Sequence, residues 1–199
     1  KRKNKSKYKF IAFLPGSREN EINKLFKYFN NIEEYIYKNK LKYKIFIPTL
    51  PHLKNLIEKK IIFWKTDTVI SDDIENFDTF YDEVFLSITC SGTASLEIAK
   101  RNIPQIVIYK LNYLTLLILK ILTKVKFACI LNIIEKKMII PELTNSNLTT
   151  KTLLNLFNKM IDDKDFRNNQ IKNVNNILPK IESSYSPYEI SSKRILELI

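Results

Sequence analysis

The sequence has few of the residues that build metal sites or disulfides. Among 199 residues there are one histidine and two cysteines. Cys90 and Cys129 are far apart and lack the spacing of a metal-binding motif, so they predict no disulfide framework and are typical of a reducing compartment. His52 follows Pro51 and is interpreted as a loop residue, because a catalytic histidine needs partner groups. The sequence therefore predicts no bound metal.

Glycine is equally scarce, with two in the chain. Gly16 and Gly92 each follow a strongly apolar run and precede an amphipathic segment. Glycine is required where the backbone takes positive φ or where a ligand approaches it closely. We therefore expect both glycines to lie at turns between a strand and a helix, where the backbone itself has a role.

Long apolar runs are also missing. The longest, residues 111–122, is interrupted by Lys120 and is shorter than the roughly 20 residues of a spanning helix. The short apolar run after the basic N-terminus ends at Pro15-Gly16, which argues against a signal peptide. These features predict a cytoplasmic protein.

Acidic residues are outnumbered, with 21 Asp and Glu against 33 Lys and Arg and a net charge of +12. This balance favours anionic partners such as nucleic acid, an anionic membrane surface or a phosphorylated ligand. The lysines are scattered between apolar positions, as on solvated faces. Because no RNA-binding signature or basic-aromatic tract is present, a non-enzymatic nucleic-acid-binding domain is an alternative with less support, and no specific nucleic acid is expected.

Hydrophobic periodicity predicts alternating strands and helices. Continuous apolar runs typical of buried parallel strands occupy residues 10–14, 43–48, 84–88 and 103–109, with weaker strand pieces at 61–64 and 68–70. Helical spacing occupies residues 21–37, 53–60, 75–81, 93–100, 112–124, 151–162, 165–178 and 186–199. This alternation predicts an α/β fold with a doubly wound parallel sheet. The stretch that leads to residue 143 is predicted to be rich in loops.

The first predicted corner contains Gly16, Ser17 and Arg18. Ser17 is expected to cap the following helix with its hydroxyl. The helix N-terminus favours an anion, and the planar guanidinium of Arg18 suits a diphosphate. Glu21 lies four residues after Ser17 and can reach back to the cap. A plain helix start with a solvated arginine is the alternative.

The second predicted corner contains Ser91, Gly92, Thr93 and Ala94. It also follows a buried strand and begins a helix, so it offers hydroxyls and free N–H groups to a phosphate. Glu97 lies one turn into that helix and can accept hydrogen bonds from ribose hydroxyls. A helix start with Glu97 near the positive end of the dipole is the alternative.

Several tracts in this order resemble lipid-A-disaccharide synthases. They are LPGSR-x-x-EI at 14–22, SGTASLE at 91–97, the set Pro104, Val107, Tyr109 and Lys110, the pair Leu131-Asn132, and Pro141-Glu142-Leu143. The resemblance implies one Rossmann-like half of a GT-B type glycosyltransferase, with residues 10–180 as the nucleotide-sugar-binding domain. Residues 1–9 would be a linker or truncated edge, and 181–199 a C-terminal helix against a missing N-terminal half.

The resemblance also implies a function and a set of site residues. The enzyme transfers 2,3-diacylglucosamine from UDP to diacylglucosamine 1-phosphate and forms the lipid A disaccharide of the Gram-negative outer membrane, without a metal or other cofactor. Arg18 would stabilise the leaving group, while the catalytic base would lie in the missing half. The nucleotide sugar would contact Gly16, Ser17, Arg18, Ser91, Gly92, Thr93, Ala94, Glu97 and Asn132. A different UDP-sugar-dependent transferase is the alternative.

The resemblance further implies partners. These are UDP-2,3-diacylglucosamine, a lipid acceptor and an N-terminal half supplied as a separate chain or a missing segment. The apolar stretch at 111–122 is flanked by lysines. One interpretation is burial in the core or against the missing half. The other is contact with acyl chains or with an anionic membrane, which would place the protein peripherally on the cytoplasmic face of the inner membrane.

Overall fold

The computed structural model describes residues 9–73, 77–110, 127–181 and 195–196. The strands of this part are β1 (Lys9–Leu14), β2 (Tyr43–Pro48), β3 (Thr68–Ser71), β4 (Val84–Cys90), β5 (Gln105–Tyr109) and β6 (Glu142–Thr144). Its α-helices are α1 (Glu19–Lys38), α2 (Lys54–Ile61), α3 (Phe77–Tyr81), α4 (Thr93–Lys100), α5 (Ile130–Glu135), α6 (Thr150–Asp162) and α7 (Lys164–Ile181).

The strands form one parallel sheet in the order β3-β2-β1-β4-β5-β6. The chain starts in the middle of the sheet, winds to one edge, returns beside β1 and then winds to the other edge. The connections after β1 and β4 therefore leave in opposite directions and open a crevice at the carboxyl ends of these strands. The predicted doubly wound α/β fold is confirmed.

Helices cover both faces of this sheet. On one face, Phe29 of α1 and Phe157 of α6 are fully buried in the larger core. On the other, Tyr81 of α3 and Ile98 of α4 pack together against the strands, and Val174 of α7 packs beside α4. Because the strands are covered on both sides, their sequences are continuously apolar rather than alternating.

A reciprocal amide contact fixes α7 against β5. The backbone N–H of Gln105 donates to Oε1 of Gln170 at 2.7 Å, and Nε2 of Gln170 donates back to the Gln105 carbonyl at 2.8 Å. Nε2 of Gln105 donates to the Ser95 carbonyl at 2.8 Å. Gln105 and Gln170 thus connect α7, β5 and α4, and their buried hydrogen bonds fix the position of α4 against the sheet.

One sequence prediction about secondary structure is wrong. Residues 61–64 do not form a strand, because α2 continues to Ile61 and a turn follows it. In that turn, the backbone N–H of Trp64 donates to the Ile61 carbonyl at 2.8 Å. The Trp64 ring stacks on Phe26 with centroids 5.6 Å apart, which explains an apolar run outside the sheet. The stretch that leads to residue 143, predicted to be rich in loops, contains the short helix α5 and the first residues of β6 between irregular segments.

Some predictions concern residues that the structure does not describe. The helix predicted at 112–124 lies outside the described residues, as do residues 1–8 of the predicted linker and most of the predicted C-terminal helix. The division of the chain at residues 9 and 180 therefore stays a prediction.

Candidate functional site

A cavity of about 490 Å³ opens at the carboxyl edge of the sheet. Its walls come from the segments that follow β1, β2 and β4 and from one side of α3 and α4. Of the residues predicted from sequence, it is lined by Gly16, Ser17, Arg18, Ser91, Gly92, Thr93, Ala94 and Glu97. The two glycine corners, 76 positions apart in sequence by their numbers, therefore meet in one crevice.

The corner after β1 depends on Gly16. Its φ is +110°, a conformation that residues with side chains rarely adopt. The predicted cap by Ser17 is not formed, because the N-cap of α1 is Arg18, which has extended backbone and makes no cap hydrogen bond with its side chain. Ser17 is exposed at the rim. Its hydroxyl is therefore not used as a helix cap, and the residue lines the cavity.

Arg18 is oriented by Glu21 of the same helix. Nη1 of Arg18 lies 3.2 Å from Oε1 of Glu21, and the two side chains are 79% and 22% exposed. An ion pair this exposed contributes at most about 1 kcal/mol to stability. Its main effect is to direct the guanidinium along the cavity rim.

The corner after β4 leaves open space over its glycine. Gly92 has a φ of +142°, and a Cβ built on it would have no neighbour within 4 Å. The Ser95 hydroxyl donates to the Gly92 carbonyl at 2.7 Å and fixes the turn. A ligand can therefore approach this part of the backbone closely, for which glycine is suited.

The two helix starts in the cavity differ from the start of α6. Arg18 at α1 and Gly92 at α4 make no cap hydrogen bond with a side chain. At α6, by contrast, Thr149 and Thr152 form a full capping box. The first turns of α1 and α4 thus keep N–H groups that a bound anion can satisfy, and both helix dipoles favour that anion.

Glu97 lies one turn into α4 and is held by a neighbouring cation. Its Oε1 lies 3.4 Å from Nη2 of Arg101, while Nη1 of Arg101 contacts Asp78 at 2.5 Å. The Arg101 guanidinium also lies 4.5 Å from the ring centroid of Tyr81. Burial raises the pKa of the Tyr81 hydroxyl, so this phenol stays neutral. The Glu97 carboxylate is accordingly anchored to α3 at the mouth of the cavity.

Cys90 forms part of the cavity floor. It is buried, and burial, assisted by the nearby charge of Glu21, raises the pKa of the thiol to about 12 while Arg18 acts in the opposite direction. The thiol is therefore neutral at physiological pH. A neutral buried thiol behaves as a small apolar group, which fits a floor rather than a nucleophile.

Asn132 is the predicted site residue that the structure does not bring to the cavity. Its side chain is fully buried. Nδ2 donates to the Ile140 carbonyl at 2.7 Å, and Oδ1 accepts from the N–H groups of Ile139 and Ile140 at 2.7 and 2.9 Å. The amide is used within its own loop, and its predicted contact with the nucleotide sugar stays a prediction.

Glu142 completes this network and connects it to the second corner. Its buried carboxylate accepts from the Ala128 N–H at 3.0 Å, the Cys129 N–H at 2.8 Å and the Asn132 amide at 3.1 Å. The Ser91 hydroxyl donates to the Ala128 carbonyl at 2.6 Å. Glu142 and Asn132 thus fix the segment around Ala128, whose carbonyl accepts the hydrogen bond from Ser91.

Sequence reasoning missed the other end of the cavity. Thr49 and Leu50 after β2, with Phe77 and Tyr81 of α3, line it, but they belong to no recognisable motif. The available signal was topological, since residues that follow parallel strands reach the same edge of the sheet. Only the strand order places β2 beside β1.

The described residues contain neither a cluster of metal ligands nor a helix that could span a membrane. In the parts of the chain with described structure, no three His, Cys, Asp or Glu side chains come together as metal ligands. Within the same residues, no helix has the length and apolarity to cross a membrane.

Comparison with known proteins shows the family. Residues 1–193 match the family model described as Lipid-A-disaccharide synthetase. A lipid-A-disaccharide synthase of Gluconobacter oxydans is 26% identical over 190 residues, which cover 95% of this chain and 46% of that protein. One from Wigglesworthia glossinidia brevipalpis is 33% identical over 156 residues, which cover 74% of this chain and 40% of that protein.

Solved structures share the fold at low sequence identity. A spinosyn rhamnosyltransferase complexed with thymidine diphosphate superposes with a TM-score of 0.58 and 12% identity, covering 88% of this chain and 43% of that one. The glycosyltransferase SnogD of Streptomyces nogalater superposes with a TM-score of 0.53 and 13% identity, covering 96% and 44%. The fold is thus Rossmann-like, and it corresponds to a little under half of each of these two glycosyltransferases.

The chain spans about half the length of the curated relatives it matches. Within that span, the family match extends over nearly every residue, including both glycine corners. The chain belongs to the lipid-A-disaccharide synthetase family.

Proposed function

We propose that this chain is the donor-binding half of a glycosyltransferase and that its cavity holds the UDP part of UDP-2,3-diacylglucosamine. The observation that carries the proposal is the meeting of two glycine corners in one cavity between β1 and β4. That location is the switch point of a doubly wound sheet, where such folds bind their ligands. Membership in the family supports the donor sugar and the lipid acceptor.

The groups that would bind the diphosphate lie between the two glycine corners. Two uncapped helix starts and the Arg18 guanidinium favour negative charge there, and the open space over Gly92 admits the phosphate oxygens. The Glu97 carboxylate at the mouth accepts hydrogen bonds from the two ribose hydroxyls. This assignment uses every predicted site residue that lines the cavity and omits Asn132.

In the proposed reaction, the 6-hydroxyl oxygen of the acceptor attacks C1 of the donor sugar. The new C1–O6 bond forms as the bond between C1 and the phosphate oxygen breaks, and the proton of the hydroxyl passes to a base. UDP leaves with an added negative charge, which Arg18 and the helix N-termini stabilise without a metal. The base and the acceptor pocket belong to the other half of the enzyme, in the same polypeptide or a separate one.

A titration calorimetry experiment tests the proposal on this chain alone. We expect UDP to bind and a random oligonucleotide of equal charge not to bind at physiological salt. Binding should persist in EDTA, since neither Arg18 nor the helix starts need a metal. Salt-sensitive oligonucleotide binding without UDP binding would instead favour a basic nucleic-acid-binding domain.

Membrane association is a separate proposal, which rests on the net charge of +12 and the lipid character of the proposed substrates. Flotation with vesicles tests it. We expect the chain to float with vesicles that contain anionic lipid and to remain in the dense fraction with neutral ones. Failure to float with either would reject a peripheral location for this half.

A further inference from the structure

Thr49 has a buried hydroxyl that no group of the described residues satisfies. The residue follows β2, is 7% exposed and lines the cavity. Its Oγ1 has no hydrogen-bond partner within the described part of the chain. Most buried polar atoms in proteins are hydrogen-bonded, and leaving one unpaired costs stability. Because this atom is buried within a residue that lines the cavity, turning the hydroxyl toward a bound ligand would satisfy it.

The other buried unpaired atoms of the described residues lie elsewhere. They are Oγ1 of Thr66 and Oε1 of Gln105, and neither residue lines the cavity. All three residues bond through another group: Thr49 through its backbone N–H to the Ser71 carbonyl at 2.8 Å, Thr66 through its N–H to Glu33 at 2.9 Å, and Gln105 through its amide nitrogen. Within this set, only Thr49 combines an unpaired polar atom with a position on the site.

The position of Thr49 indicates which part of a nucleotide it meets. β2 adjoins β1 on the side away from β4, so Thr49 lies about one strand spacing, ~4.8 Å, beyond the Gly16 corner. This end of the cavity is lined by Leu50 and by the rings of Phe77 and Tyr81. Largely apolar and aromatic walls fit a planar base, whereas Arg18 and the helix starts fit phosphate.

We propose that the Thr49 hydroxyl binds the polar edge of a pyrimidine base in the nucleoside diphosphate. A hydroxyl can donate to a base carbonyl or accept from the ring N–H, and the rings of α3 cover the apolar faces. This inference rests on the proposed function, because it requires that the cavity hold a nucleotide. It adds a base-binding residue outside both motifs.

Thr49→Val tests the inference because valine keeps the shape and removes the hydroxyl. We expect the free protein to become more stable, with a melting temperature about 2–4 °C higher, since an unsatisfied buried atom is lost. We expect UDP affinity to fall about tenfold, the effect of one lost hydrogen bond. Affinity for inorganic pyrophosphate, which has no base, should not change.

Two variants serve as matched controls. Thr66→Val removes the other buried unpaired hydroxyl and should raise the melting temperature without changing UDP affinity. Thr49→Ser restores a hydroxyl at the same position and should bind UDP within about threefold of the unsubstituted chain. Both are measured by the same thermal denaturation and calorimetry.

The outcomes separate this inference from the proposed function. If the unsubstituted chain binds UDP and Thr49→Val binds it equally well, the base contact is wrong and the donor site stands. If Thr49→Val weakens pyrophosphate as much as UDP, the effect reaches the phosphate end and the base contact is also wrong. If the unsubstituted chain binds no UDP, the donor site itself is rejected.

Discussion

The Glu21 side chain lies against the Cα of Gly16. A Cβ built on residue 16 would come within 2.6 Å of Oε2 of Glu21 and 3.1 Å of its Cβ. The same carboxylate pairs with Arg18 at 3.2 Å. The absence of a side chain at position 16 is therefore what allows Glu21 to fold back over the corner and direct the guanidinium toward the cavity.

Alanine at the two glycines should have different effects. Gly16→Ala combines backbone strain with the Glu21 clash, so we expect the free energy of unfolding to fall by about 2–4 kcal/mol. The methyl of Gly92→Ala meets no neighbour within 4 Å, so backbone strain alone should lower the free energy of unfolding, by about 1–2 kcal/mol. The same methyl enters the open space of the cavity and should weaken UDP binding at least tenfold. Urea unfolding and calorimetry measure both quantities. Equal losses of stability would contradict the steric argument.

Arg18 and Glu97 should act on binding rather than on the fold. We expect Arg18→Ala and Glu97→Ala each to weaken UDP by about 1–3 kcal/mol, the scale of a lost charged hydrogen bond. The loss of UDP affinity caused by Arg18→Ala should become smaller as the salt concentration rises, because the contact between Arg18 and UDP is charged and exposed. Lys38→Ala is the control: it removes an exposed cation paired with Glu34 at the far end of α1 and should leave affinity unchanged. Unchanged affinity in both site variants would reject the site assignment.

The Asn132 network should affect stability more than binding. Asn132→Ala removes partners from the buried N–H groups of Ile139 and Ile140, so we expect a loss of about 2–3 kcal/mol in the free energy of unfolding. Glu142→Gln should also destabilise the fold, because an amide presents one acceptor oxygen to the three donors that Glu142 now satisfies. Denaturant unfolding beside UDP titration checks this. An Asn132→Ala protein of normal stability but weak UDP binding would instead support the predicted direct contact with the nucleotide sugar.

The thiols should be unreactive in the folded chain. Cys90 and Cys129 are both buried and free, and burial raises the pKa of each thiol, that of Cys90 to about 12. Because the thiolate is the reactive form, Ellman's reagent at pH 8 should detect almost no thiol before unfolding and two after addition of guanidinium. Rapid labelling of the folded chain would show that the cavity floor opens in solution.

Local sequence was sufficient to predict both corners. An apolar run, a glycine and an amphipathic helix are read within a dozen residues, and each of Gly16 and Gly92 has the positive φ that this pattern predicts. The same kind of local pattern gave a wrong prediction at residues 61–64, where a run of apolar side chains typical of a strand belongs to the end of α2 and the turn after it. In that turn, Trp64 packs on Phe26, which is 38 positions earlier by number.

The sequence by itself determined that two strand–glycine–helix corners exist and which polar groups they offer, because those features depend on neighbours along the chain. The tertiary structure decided that the corners share one cavity, that Arg18 rather than Ser17 is the N-cap of α1, that Asn132 is buried and that Thr49 lines the cavity. These outcomes depend on strand order and on packing between distant segments. Local periodicity does not specify either one, because it records which face of an element is apolar but not which partner covers it.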